Sequence, residues 1–113
     1  MNTYELRLNP QPFESIKLGT KTIEMRLLDE KRQQYNVGDV LIFKNRANQN
    51  EKLITKIIQL HKYSSFEDLY KNFDKISLGY KENEDAKPED MEEYYSKEKQ
   101  ANFGVVGIEI QLI

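Results

Sequence analysis

The chain has 113 residues, no cysteine and a formal net charge of −2, with 38% apolar and 32% charged residues. These totals exclude disulfides, thiolate metal sites and a thiol nucleophile, and leave room for one domain with one modest core, over residues 1–113. No apolar run approaches the length of a membrane span, and Met1 to Glu5 lacks the basic-then-apolar order of a signal peptide, so a soluble cytoplasmic protein is expected.

In chain order, Thr3 to Leu8 alternates and predicts a strand with Tyr4, Leu6 and Leu8 inward. Asn9-Pro10-Gln11-Pro12 turns the chain into a short helix carrying Phe13 and Ile16, and Gly19 supplies its C-terminal stop. Thr20 to Leu27 predicts the second strand. Its alternation puts Ile23, Met25 and Leu27 on an apolar face and Thr22, Glu24 and Arg26 on the other, with Lys21 at the strand entrance. Asp29 to Tyr35 reads as a surface turn, and Asn36-Val37-Gly38-Asp39 as a turn into the buried strand Val40 to Lys44. Asn45 to Asn50, with three asparagines, predicts a loop. Lys52 to Tyr63 predicts a strand long enough to need a bulge or bend.

Ser64-Ser65-Phe66-Glu67 has the spacing of a capping box, with Ser64 as N-cap and Glu67 reaching back. Phe66, Leu69, Tyr70 and Phe73 then recur at amphipathic-helix spacing. Ser77 to Lys87 reads as an exposed loop. Pro88 opens a second helix with Met91, Tyr94 and Tyr95 as its apolar stripe. The last strand, from Phe103 to Leu112, places Val106, Ile108, Ile110 and Leu112 on one face. Five strands, one early helix and two helices before the last strand give an α+β order, for which a small, partly open barrel with helices at its ends is expected.

Charge is unevenly spread. Residues 1–62 hold 11 Lys/Arg against 7 Asp/Glu, a balance of +4, and residues 63–113 hold 6 against 12, a balance of −6. The basic first half is compatible with a phosphate-facing surface, and the acidic stretch Glu82 to Glu93 reads as a solvated face. The chemistry-bearing cluster is Lys21, Glu24 and Arg26. Lys21 is suited to hold an anion, or to act as a base if burial lowers its pKa; Arg26 can fork to phosphate or a base edge; Glu24 can accept from an exocyclic amine. Tyr95 and Phe103 are candidates to stack on a base. A single histidine, His61, and no cysteine predict no metal site, and no cofactor is expected.

The pattern Gly19-x-Lys21-x-x-Glu24-x-Arg26 on a helix-to-strand step resembles the signature of the ASCH domain family. Gly38-Asp39-Val40-Leu41-Ile42-Phe43 and the run from Tyr95 to Ile110 extend the resemblance over essentially the whole chain. It implies a five-stranded PUA-like β-barrel whose cleft, lined by Lys21, Glu24 and Arg26, takes RNA, a nucleotide or a modified nucleoside. Some small members resemble amidohydrolases that deacetylate acetylated cytidine nucleosides with a lysine, a threonine three residues later and a distant glutamate. By that likeness Lys21 and Glu24 take the first two positions, with glutamate in place of threonine, and Glu67 lies in a segment that fits the third.

Overall fold

A computed structural model describes residues 1–113. Five strands, β1 (Thr3–Leu8), β2 (Ile23–Leu27), β3 (Val40–Asn45), β4 (Asn48–Tyr63) and β5 (Val105–Leu112), form one mixed sheet in the order β1-β3-β4-β5-β2. Only β1 and β3 run parallel. The sheet curls into a half-barrel, and its two edge strands, β1 and β2, are joined in sequence by helix α1 (Pro10–Leu18). β4 makes the curl possible. It pairs with β3 up to Lys56 and with β5 from Thr55 onward, and its register with β5 shifts between Ile57 and Gln59. That irregularity is the bend expected of so long a strand.

The sheet carries a core on each face. On the inner face Leu6, Leu8, Leu41, Phe43, Ile57, Val106, Ile108 and Ile110 bury against Phe13 and Ile16 of α1. On the outer face Ile23, Met25 and Val105 bury against Phe66 and Leu69 of α2 (Phe66–Lys71), Leu78 of α3 (Lys75–Leu78) and Met91. The apolar alternation of β2 therefore belongs to the outer core. Directly paired strand residues share a face, so Glu24 opposite Ile108 and Arg26 opposite Val106 lie on the inner face.

The segment before β5 departs from its sequence pattern. Pro88 opens a 3-10 turn (Pro88–Glu93), and the α-helix that follows, α4 (Lys97–Phe103), starts afresh where Ser96 accepts from the Lys99 backbone N–H. The tighter turn breaks the expected stripe. Met91 stays buried, while Tyr94 is 60% exposed. The N-cap of α2 is Ser65, which accepts from the Asp68 N–H; the Ser64 hydroxyl instead donates to the Asp68 carboxylate. The asparagine-rich stretch is a tight hairpin, because Asn45 Oδ1 takes the Ala47 N–H at 3.0 Å and β4 resumes at Asn48.

Leu69, fully buried between α2 and the sheet, should cost about 2–5 kcal/mol as Leu69→Ala. Exposed Ile54, on β4, should change stability by about 0.5 kcal/mol or less as Ile54→Ala. Urea unfolding of the two variants checks the contrast.

Candidate functional site

Helix α1 ends in a left-handed glycine, Gly19 at φ 85°, and the Thr20 and Lys21 N–H groups both return to the Ser15 carbonyl at 3.1 Å. This compact stop swings Lys21 inward just ahead of β2. Its ammonium then meets three acceptors, the Ile23 and Leu78 carbonyls, each at 2.8 Å, and Glu24 Oε1 at 3.3 Å. Two hydrogen bonds to carbonyls and one ion pair thus surround the ammonium. Gly79 leaves the space for it: a Cβ there would sit 3.0 Å from Lys21 Cδ, on a backbone at φ 107°.

Glu24 is the centre of the arrangement. Its other oxygen, Oε2, accepts from Arg26 Nε at 2.7 Å, and the Arg26 Nη2 donates to the Arg7 carbonyl of β1 at 3.3 Å. Lys21 and Glu24 are each only 5% exposed. Burial lowers the Lys21 pKa, and Glu24 opposes that shift without cancelling it. Burial works to raise the Glu24 pKa, but the charges of Lys21 and Arg26 outweigh it and hold the carboxyl below its ordinary range. For Arg26 burial favours deprotonation, yet Glu24 outweighs it and the pKa moves up.

Around this cluster lies a cavity of about 470 Å³ at the open seam between β1 and β2, within the size range of small-molecule sites. Lys21, Glu24, Met25 and Arg26 form its floor. Arg7, Leu8 and Asn9 at the end of β1, Pro12 of α1 and Arg46 of the β3–β4 hairpin line one side. Met91, Glu93, Tyr94 and Tyr95 line the other.

Of the stacking candidates, Tyr95 stands in the cavity wall. Its ring is backed by Phe66 at 6.1 Å and 19°, and its carbonyl is held by the buried Gln100 Nε2 at 3.0 Å. Phe103 ends α4, 39% exposed, and lines no part of this cavity. Glu67 faces away as well, exposed on α2 beside Lys71 and bordering a separate hollow with Ser64, Ser65 and Pro88. The first turn of α2 borders that separate hollow, whereas Lys21 reaches to the Leu78 carbonyl at the end of α3. Arg7, Arg46 and Glu93 of the cavity were not singled out as site residues by the sequence pattern, and Tyr94 was read only as part of an apolar helix stripe. Nothing in their local spacing sets them apart. His61 is bound to Glu109 at 2.8 Å on the outer face of β4 and β5. No group of three or more His, Cys, Asp or Glu side chains is placed to hold a metal ion.

The ASCH domain profile matches residues 6–113. The chain belongs to the ASCH domain family. Two solved structures share its fold at comparable size. One is the crystal structure of hypothetical protein PH0355, 30% identical, with a TM-score of 0.79, covering 98% of this chain and 99% of that one. The other is the solution NMR structure of protein PF0455 from Pyrococcus furiosus, 28% identical, with a TM-score of 0.74, covering 98% and 97%. No curated protein matches the chain. No helix of this ASCH protein is long and apolar enough to cross a membrane.

In this ASCH domain the signature residues are thus an ionic chain, Leu78 carbonyl–Lys21–Glu24–Arg26–Arg7 carbonyl. Because Glu24 titrates below its ordinary value of 4.5 in the fold, the unfolded chain takes up the proton first as pH falls. Its contribution to stability is complete above that value and is lost as pH drops through the folded pKa. Urea midpoints measured from pH 7 to pH 3 should fall more steeply for the wild type than for Glu24→Gln. At pH 7 the Gln variant should be less stable by about 3–5 kcal/mol, since Lys21 and Arg26 lose their buried counter-charge.

Proposed function

We propose that this ASCH protein binds RNA, or a nucleotide or modified nucleoside, in the cleft lined by Lys21, Glu24 and Arg26, with Tyr95 as the stacking surface. The observation that carries this reading is the state of Arg26. Glu24 grips its Nε and the Arg7 carbonyl takes one Nη2 proton, which fixes the guanidinium while three N–H donors stay uncommitted at the edge of the cavity. A guanidinium held in one orientation beside an aromatic ring suits a planar base with phosphate nearby. Lys21 supports the site indirectly by fixing Glu24. Glu93 adds an acceptor for exocyclic amines on the opposite wall. Cytoplasmic residence and a single folding unit over residues 1–113 are part of the same proposal, and no metal or cofactor is required by it.

Arg26→Ala should weaken binding to a panel of short single-stranded oligoribonucleotides by roughly ten- to hundredfold in filter-binding titrations, the range expected for charge-assisted hydrogen bonds. Arg26→Lys should not restore it, because an ammonium lacks the planar fork. Unchanged affinity in Arg26→Ala across the panel would count decisively against the cleft.

A second reading is favoured by one specific feature, a buried lysine of lowered pKa next to a carboxylate in the same cleft. It is hydrolysis of the acetyl amide of acetylated cytidine. Water adds to the acetyl carbon, the C–N bond breaks, acetate leaves, and the freed exocyclic nitrogen takes a proton through the Lys21–Glu24 pair. Purified protein should then release acetate from acetylated cytidine without added metal, and Lys21→Ala should abolish release. No acetate from a panel of acylated nucleosides removes this reading and leaves the binding one standing.

A further inference from the structure

We infer that the cleft divides into a phosphate wall and a base wall, and that its ligand is a single unpaired nucleotide carrying phosphate rather than a free nucleoside; this rests on the nucleotide-binding reading above. Three arginines from three separate elements line the cavity: Arg7 on β1, Arg26 on β2 and Arg46 in the β3–β4 hairpin. The fold brings them together by defined contacts. Arg26 donates to the Arg7 carbonyl, and the Arg46 N–H donates to the Leu8 carbonyl at 2.8 Å. The hairpin that presents Arg46 is stiffened by Asn45, which gives its Nδ2 to Glu51 at 2.9 Å and takes the Ala47 N–H.

Neither Arg7 nor Arg46 joins any of the chain's ion pairs, although acidic residues are abundant. Arg7 and Arg46 thus bring two arginines outside any ion pair to the lining of a cavity in which the Arg26 guanidinium is fixed by Glu24. The start of α1, with no acidic residue in its first turn, faces the same hollow through Asn9 and Pro12 and adds to the positive field.

The opposite wall has different chemistry. Tyr94 is exposed, Tyr95 is backed by Phe66, buried Met91 joins them in the lining, and Glu93 is the one carboxylate among these residues. Aromatic faces and an acceptor suit a base; paired guanidinium forks suit phosphate oxygens. About 470 Å³ admits one nucleotide and no duplex. Such a nucleotide could be free or part of a strand, and the two sources share this chemistry.

The test is fluorescence or calorimetric titration of the folded full chain with four nucleosides, their 5′- and 3′-monophosphates, and a short single-stranded oligoribonucleotide. The expected result is at least about tenfold tighter binding of a monophosphate, or of the oligomer, than of its nucleoside. That advantage should vanish in Arg7→Gln/Arg46→Gln, whose thermal melt should stay near wild type because both side chains are exposed. The salt dependence should flatten in the same variant. Tighter binding of monophosphates than of the oligomer identifies a free nucleotide; binding of the oligomer alone identifies a strand. Equal affinity for nucleoside and monophosphate, or a phosphate advantage that survives in the double variant, overturns the phosphate wall while leaving the cleft reading intact. No binding of any probe overturns both.

Discussion

A carboxylate on the inner face of an edge strand, opposite Ile108 and almost free of solvent, is the constraint on which the rest of this fold depends. A buried charge is tolerable only when it is matched, and Glu24 is matched twice, by Lys21 and by Arg26. Each of those cations then needs acceptors of its own. Lys21 finds them in the Ile23 and Leu78 carbonyls and Arg26 in the Arg7 carbonyl, so neutralising one acid ties the helical layer to β2 and β2 to β1. The charge compensation is also a cross-brace.

That brace falls where the sheet fails to close. β1 and β2 are the two edges of a five-stranded sheet, and no backbone ladder joins them. Open edges invite unwanted pairing. Here α1 spans the two strands, and the Arg26 side chain supplies a bond across the seam. What remains open between them is the cavity. The candidate site is therefore a property of the incomplete barrel, carried on paired strands rather than on loops, which is the kind of support a recognition site needs.

The aromatic wall is held by different means. Tyr70 and Tyr80 share a hydrogen bond at 2.7 Å, and Tyr80 donates to Asp90 at 2.8 Å, tying α2 and the loop after α3 to the 3-10 turn that precedes Tyr94 and Tyr95. Burial pushes the Tyr70 hydroxyl up to about 12 against the lowering effect of its bond to Tyr80, and burial, then the bond with Tyr70 and then that to Asp90, raise Tyr80 as well, so this relay stays protonated through the physiological range. Gln100 completes the support by gripping the Tyr95 carbonyl. One wall thus rests on strands and the other on a hydrogen-bonded helical layer.

All five strands, the bend in β4, the glycine stop after α1 and the motif from Gly19 to Arg26 were legible from residue order, because strand alternation and capping are local and repeat over a few residues. Alternation also separated Glu24 and Arg26 from Ile23, Met25 and Leu27. It could not say which set faced the inner core, since that depends on which side of β2 receives β5 and the helices. The same limit placed the N-cap one residue early at Ser64 and read the Tyr94 stripe as α-helical, where rise per residue and not composition decides exposure. Arg7 and Arg46 lie 19 and 20 residues from Arg26 on either side, too far for any local period to relate them. Sequence alone determined that there are five strands and roughly where they run, and which residues carry charge, although it read the start of β4 as loop. Only the tertiary structure decided that three arginines and two tyrosines meet across an open seam, because that meeting is set by strand order and hairpin contacts that no short-range pattern encodes.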